Sequence, residues 1–268
     1  MSEAATGERK SIASVSPRAR LLRLVLFLGS LSTCGWLCLG PCAGAEDELK
    51  RAQDFSRIDA GAILRGVRES QAAIRQSLQG RLRSGARKLP YRMVMDGSEL
   101  RFEFPEALPP DPQVVSLQFG ERDASVQAKV AEGNLRKVQF EDEIAGMGVL
   151  YEDLSMRYLY WKDAEVVDEE RMLPPLYVKC WKIRVRRPPK LRSPYREVLV
   201  WVSQENGGIL KSEAYDDKGE LVRRLKVVSI QGSDQGTTLK QMRIESPKMG
   251  SNYIYLDVDG KSAPRSVK

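Results

Sequence analysis

YVKCWKIRVRRPPKLRSPYREVLVWVSQ, Tyr177–Gln204, decides the fold. Its first half sets Trp181, Ile183 and Val185 against Lys182, Arg184 and Arg186. A period of two places apolar side chains on one face of a strand and charges on the other. The second half carries VLVWV, Val198–Val202, apolar on both faces, which predicts a central strand with cover on its second side as well. Four more runs follow: ILKSEAYD (Ile209–Asp216), ELVRRLKVVSIQ (Glu220–Gln231), TTLKQMRIES (Thr237–Ser246) and NYIYLDVDG (Asn252–Gly260). Short turns of Gly, Pro, Asn and Asp separate them. Strands joined this way predict an antiparallel meander, because parallel neighbours need long crossovers.

Toward the N-terminus, Tyr91–Phe104 reads as a hairpin around Asp96-Gly97, with Leu100, Phe102 and Phe104 alternating against Arg101 and Glu103. QVVSLQF (Gln113–Phe119) and SVQAKV (Ser125–Val130) are further strands, and LPPDP (Leu108–Pro112) is a stiff connection. A helix is predicted from Asp59 as N-cap, with Ile63, Leu64, Val67, Ile74 and Leu78 on one face and Arg65, Arg68, Glu69 and Arg75 opposed. The period changes to that of a strand after Gly80.

Between the two strand groups lies YEDLSMRYLYW, Tyr151–Trp161, four large rings in a chain that is 7% aromatic. Leu150, Leu154, Tyr158 and Trp161 recur at helical spacing, with Tyr151 beside them and Glu152, Asp153 and Ser155 away from the stripe. This predicts one short amphipathic helix over the apolar face of the sheet, its acidic residues in water. The rings either seal the core or wall a site for an apolar ligand. A base-stacking platform is disfavoured, since exposed rings would be interleaved with Lys and Arg.

Leu24–Leu39 is an uncharged run preceded by Arg18, Arg20 and Arg23 and followed by Ala43-Gly44-Ala45. Basic, apolar, A-x-A is the order of an export signal, here cleaved after Ala45. The run is shorter than the roughly 20 residues of a spanning helix, and Thr33 before Cys34 suits lipidation poorly. The predicted organisation is therefore a signal peptide at 1–45, a charged lead-in at 46–58, one domain at 59–260 and a tail at 261–268.

The chain has 43 Lys and Arg against 36 Asp and Glu, and five of the bases and two of the acids fall in the signal. The mature chain is only mildly basic, without the stripe a nucleic-acid partner would need. Cys34, Cys38 and Cys42 leave with the signal, so Cys180 stands alone as an expected buried strand residue. There is no histidine, which removes Ser-His-Asp and Cys-His catalysis and His-rich zinc sites. Asp216-Asp217-Lys218-Gly219 and Asp257 with Asp259 are the remaining acidic groupings. The first reads as a hairpin turn, and Asp259-Gly260 as the turn that closes the last strand. No enzyme, metal or cofactor is expected.

As a set, Tyr151–Ser155, Arg157–Trp161, Cys180-Trp181, Val200–Val202, EAYDDKGELVRRLKV (Glu213–Val227) and LKQMRIE (Leu239–Glu245) resemble the outer-membrane lipoprotein-sorting proteins related to LolA and LolB, over Ile144 to Val258. The resemblance implies a mainly β, α+β fold. Its curved antiparallel sheet forms an incomplete barrel, closed by helices on an apolar concave face. It also implies a monomeric periplasmic carrier of lipoprotein acyl chains, with transient membrane-associated donor and acceptor proteins. Another lipid or apolar ligand, or a cell-envelope scaffold, are the alternatives. On this reading Leu150, Tyr151, Leu154, Tyr158 and Trp161 form the lipid-binding face of a lid, and Trp181, Leu199 and Trp201 are candidate cavity wall. Arg157 either locks the lid, through sheet carbonyls or a lipid headgroup, or is simply solvated.

Overall fold

The computed structural model describes residues 55–121, 123–130, 133–172, 176–233, 236–247, 250 and 253–261. Asp59 caps α1, Ala60–Ala72, by accepting from the Ala62 amide at 2.9 Å, and Ala60, Leu64 and Val67 bury one face. The expected face reached Leu78, but the helix stops at Ala72 and Leu78 lies in β1, Arg75–Ser84. The error has a physical source, since a spacing of four residues satisfies both the helical and the strand period. Leu78 and Leu82 point inward while Arg81 and Arg83 point outward.

The described strands form one antiparallel sheet. Following β1 are β2 (Arg87–Asp96), β3 (Glu99–Glu103), β4 (Val114–Phe119), β5 (Ala124–Lys129) and β6 (Leu135–Arg136). Then come β7 (Asp163–Arg171), β8 (Lys179–Arg186), β9 (Glu197–Ser203), β10 (Ile209–Tyr215), β11 (Leu221–Ser233), β12 (Gly236–Glu245) and β13 (Ile254–Lys261). The order is β6-β5-β4-β3-β2-β1-β13-β12-β11-β10-β9-β8-β7. Two meanders are thus zipped together where β13 pairs with β1, and the sheet does not close into a barrel. The expected hairpin and all six C-terminal strands are present. β13, however, runs on through Asp259-Gly260 to Lys261, so that pair does not close the strand.

β7, DAEVVDEER, is a strand that hydrophobic alternation does not reveal. Its identity comes from charge: Asp163, Glu165, Glu169 and Glu170 pair across the ladder with Arg186, Arg184, Lys179 and Lys182 of β8. Charged side chains on an edge strand also discourage pairing with another chain.

The helix-bearing face holds two apolar clusters. One gathers Leu82, Phe102, Leu117, Ile244 and Leu256 with Tyr151; the other gathers Val198, Val200 and Val202 with Leu64, Val67 and Tyr158. On the opposite face a smaller cluster joins Met172, Cys180, Trp201 and Leu210. This is the second-side cover that VLVWV predicted. The Trp201 ring also lies beneath the amines of Lys211 and Lys182, at 3.9 and 5.2 Å, and its Nε1 donates to Glu170 at 2.8 Å. Among the described residues no helix is long and apolar enough to cross a membrane.

Candidate functional site

The Tyr151–Trp161 stretch is not one helix. α2, Tyr151–Ser155, ends at Met156, which adopts a left-handed conformation (φ 47°, ψ 38°), and a 3-10 turn covers Arg157–Tyr160. The break divides the expected stripe. Tyr151 and Leu154 join the first cluster, Tyr158 and Trp161 join the second, and Met156 packs against both.

The acidic residues correct the sequence reading more strongly. Glu152, Asp153 and Ser155 were expected in water, yet Glu152 is 0% and Asp153 1% exposed. Each carboxylate has a cation. Arg157 meets Glu152 at 2.7 Å, donates to the Arg192 carbonyl at 2.5 Å and stacks on Phe140 at 4.0 Å. It is neither solvated nor bonded to the sheet, because Arg192 lies in the loop between β8 and β9. The arginine that reaches α2 from the sheet is Arg223 of β11, 3.2 Å from Asp153, with a further bond to the Gly148 carbonyl at 3.1 Å. Asp153 also accepts from the Tyr195 hydroxyl at 2.6 Å and the Leu150 amide at 2.9 Å. Burial raises the Glu152 carboxyl to about 7 against the pull of Arg157, and raises Asp153 against Arg223 and Tyr195.

Beneath the pinned segment is a mainly apolar cavity of about 660 Å³, whose lining also includes Gln71, Arg75, Gln76, Asp153 and Thr238. Leu154 and Met156 form its α2 side, and Met93, Phe102, Met242 and Leu256 its sheet side. A smaller space of about 130 Å³ shares Leu154, Met156, Met95 and Leu100 with it and extends to Phe119 and Tyr160. Methionines supply much of this lining, and their flexible thioethers adapt to irregular ligands.

Of the expected lid residues, Leu154 lines the cavity. Leu150 is half-buried against the second cluster, Tyr151 and Tyr158 are sealed in core, and the Tyr158 hydroxyl donates to Ser212 at 3.1 Å. Trp161 edges a separate hollow of about 260 Å³ beside Leu191. The residues expected as cavity wall, Trp181, Leu199 and Trp201, do not line this space. Trp181 packs on the second cluster, while Leu199 and Trp201 alternate with the inward-facing Val198, Val200 and Val202 and so face the other way. The lining residues missed include Met93, Met95, Met156 and Met242, with Phe102 and Leu256. Alternation on β2 carried a signal for two of them, since Met93 and Met95 fall in step with Leu89 and Tyr91.

The remaining acidic candidates serve the scaffold. Asp216 accepts from the Lys218 and Glu220 amides in a turn where Gly219 takes φ 77°. Asp257 is held by Arg83 and Gln241, and Asp259 by Arg81 at 2.8 Å. Cys180 is buried as expected, its thiol pushed up to about 11 by burial.

The comparisons with known proteins agree with this architecture. A family model described as an uncharacterized protein matches residues 133–255. A putative outer membrane lipoprotein-sorting protein domain from Vibrio parahaemolyticus superposes with a TM-score of 0.62 at 14% identity, over 84% of this chain and 95% of that one. A DUF1329 family protein from Desulfovibrio piger gives 0.58 at 18% identity, covering 78% and 95%. The LolA superfamily protein NE2245 from Nitrosomonas europaea gives 0.57 at 15% identity, covering 77% and 94%. A search of curated protein sequences finds no match. The chain therefore has a LolA-like fold, the open antiparallel sheet with helices that the sequence motifs implied.

Proposed function

We propose that this protein is a non-enzymatic periplasmic carrier that holds acyl chains in the cavity beneath α2 and helps to sort lipoproteins to the outer membrane. The observation that carries the reading is the 660 Å³ space lined by Leu154, Met156, Met93, Phe102, Met242 and Leu256. Ligand sites are typically concave spaces of roughly 300–1,000 Å³ with mostly apolar walls. Each CH₂ withdrawn from water contributes about 0.8 kcal/mol, so a lipid anchor needs such shelter to cross an aqueous gap. The fold shared with the putative lipoprotein-sorting domain and with the LolA superfamily protein supports the same class of cargo. Export is proposed to use residues 1–45, which lie outside the described residues, with cleavage after Ala45 and a carrier domain over 59–260. Membrane-associated donor and acceptor proteins would load and unload it.

A cell-envelope scaffold is the second reading, favoured by one observation: Tyr151 and Tyr158 are fully buried among the core residues. Native mass spectrometry of protein purified from its own envelope, followed by lipid extraction, separates the two. A carrier yields adducts with the masses of acyl lipids. Protein that emerges empty and takes up no fluorescent fatty acid or lipopeptide is a scaffold.

A further inference from the structure

Tyr160 is the last residue of the 3-10 turn, and it touches two kinds of surface. On one side it lines the small apolar space that shares Met95, Leu100, Leu154 and Met156 with the main cavity. On the other it lines an open groove of about 980 Å³, whose wall includes Lys162, Arg186, Arg187 and Arg196. Its ring is fixed between them, stacked on Phe119 at 6.1 Å and 2°, with the Arg68 guanidinium 5.1 Å from its centre. A tyrosine with an apolar body and a polar tip suits such a boundary.

The charges in the groove are not all balanced. Arg186 is engaged by Asp163, Glu165 and Glu197, and Arg187 by Asp217. The Asp216 carboxylate is taken up by turn amides. Among the described residues Lys162 and Arg196 have no ion-pair partner, and the Arg196 guanidinium donates only to the Asp217 carbonyl, at 3.3 Å. Lys190, in the neighbouring hollow that also contains Tyr160, has none either. Two exposed cations thus stand in the groove, with a third close by, and Tyr160 is the residue this groove shares with the small apolar space.

We infer that this groove is the headgroup site of the carried lipid, and that the cargo is an amphiphile with an anionic, phosphate- or carboxylate-bearing head. The inference rests on the carrier reading and, within it, selects a free anionic lipid over a lipoprotein anchor, whose acylated cysteine bears neither phosphate nor carboxylate. The chain enters past Tyr160 into the Met-lined cavity, while Lys162 and Arg196 receive the charged oxygens. A neutral head would leave both cations without a counterpart.

The test compares two probes with the same acyl chain and glycerol, palmitoyl lysophosphatidic acid and monopalmitoylglycerol, by calorimetry on the purified protein below their aggregation concentrations. The phosphate-bearing probe should bind on the order of tenfold tighter, as expected for charge-assisted hydrogen bonds. Lys162→Ser with Arg196→Ser, both on the surface, should abolish that preference and leave monopalmitoylglycerol binding unchanged. Equal affinities in the wild type, or a preference that survives in the double variant, overturn the headgroup site while leaving the carrier intact. Inorganic phosphate binding as tightly as lysophosphatidic acid overturns it too, because the groove would then be a free-anion site. Failure of both probes to bind removes the carrier reading and this inference together.

Discussion

The guanidinium of Arg223, on β11, stands 3.2 Å from the carboxylate of Asp153, on α2, and water reaches almost none of either side chain. One charge comes from the central part of the sheet and the other from the segment that roofs the cavity. The pair therefore fixes where the roof sits. Breaking a buried pair from one side costs about 3–5 kcal/mol, because the remaining charge has no compensation. Arg223→Met should lower unfolding free energy in urea by about that amount, and Asp153→Asn in the same chain should recover part of it. An Arg223→Met protein as stable as the wild type would mean that Tyr195 and the Leu150 amide hold Asp153 unaided.

Glu152 gives the fold a pH dependence of definite sign. Its carboxyl is raised from 4.5 to about 7 by burial, with Arg157 opposing the shift. The folded state therefore holds this proton more tightly than the unfolded chain does. The associated stability is complete below about pH 4.5 and is lost as pH rises through about 7. Asp153 is shifted in the same direction, so the difference between wild type and Glu152→Gln isolates one group. Urea titrations from pH 5 to 8 should show wild-type stability declining relative to the variant. Parallel curves would rule the linkage out.

What the sequence made legible was periodicity. Trp181, Ile183 and Val185 alternate with cations, and the strand they predict is present with its faces in the expected sense. The site was less legible because it depends on where the chain stops being periodic. Leu150, Leu154, Tyr158 and Trp161 share a stripe only if the helix is continuous, and the left-handed Met156 turns the second half away. Glu152 and Asp153 look like a wet face until their cations are found, one five residues along and one 70 residues away on β11. Arg223 did carry a faint signal, since it falls in step with the buried Leu225 and Val227.

Gly80 is required by close approach at the junction of the two meanders. The β1–β13 register shifts between Gln79 and Gly80, and a Cβ at residue 80 would stand 1.9 Å from the Asp257 carbonyl oxygen. That oxygen accepts from the Tyr91 hydroxyl at 2.9 Å, so neither partner can move freely. Gly80→Ala should destabilise by about 1–3 kcal/mol, the usual cost of overpacking, read as a lower denaturation midpoint with an unchanged slope. Gly85→Ala, in open space at the β1–β2 turn but at φ 57°, provides the comparison for backbone strain alone.

The rings of Tyr151–Trp161 and the cavity beside them should respond oppositely to substitution. Tyr158 and Trp161 are 1% and 4% exposed, and removing a core aromatic costs about 3–5 kcal/mol. Domains of this kind hold only about 5–15 kcal/mol in all, so Tyr158→Ala with Trp161→Ala should abolish cooperative folding. Leu239 is only partly buried and faces the 660 Å³ space, so Leu239→Trp adds bulk where there is room for it. That variant should unfold at nearly the wild-type denaturant midpoint while taking up a fluorescent fatty acid at least about tenfold more weakly. If the filled variant binds as well as the wild type, the space beneath α2 is not the cargo site. If the aromatic double variant folds cooperatively and loses only uptake, those two rings face the ligand after all, and the roof moves further than the closed geometry of Glu152, Asp153, Arg157 and Arg223 allows.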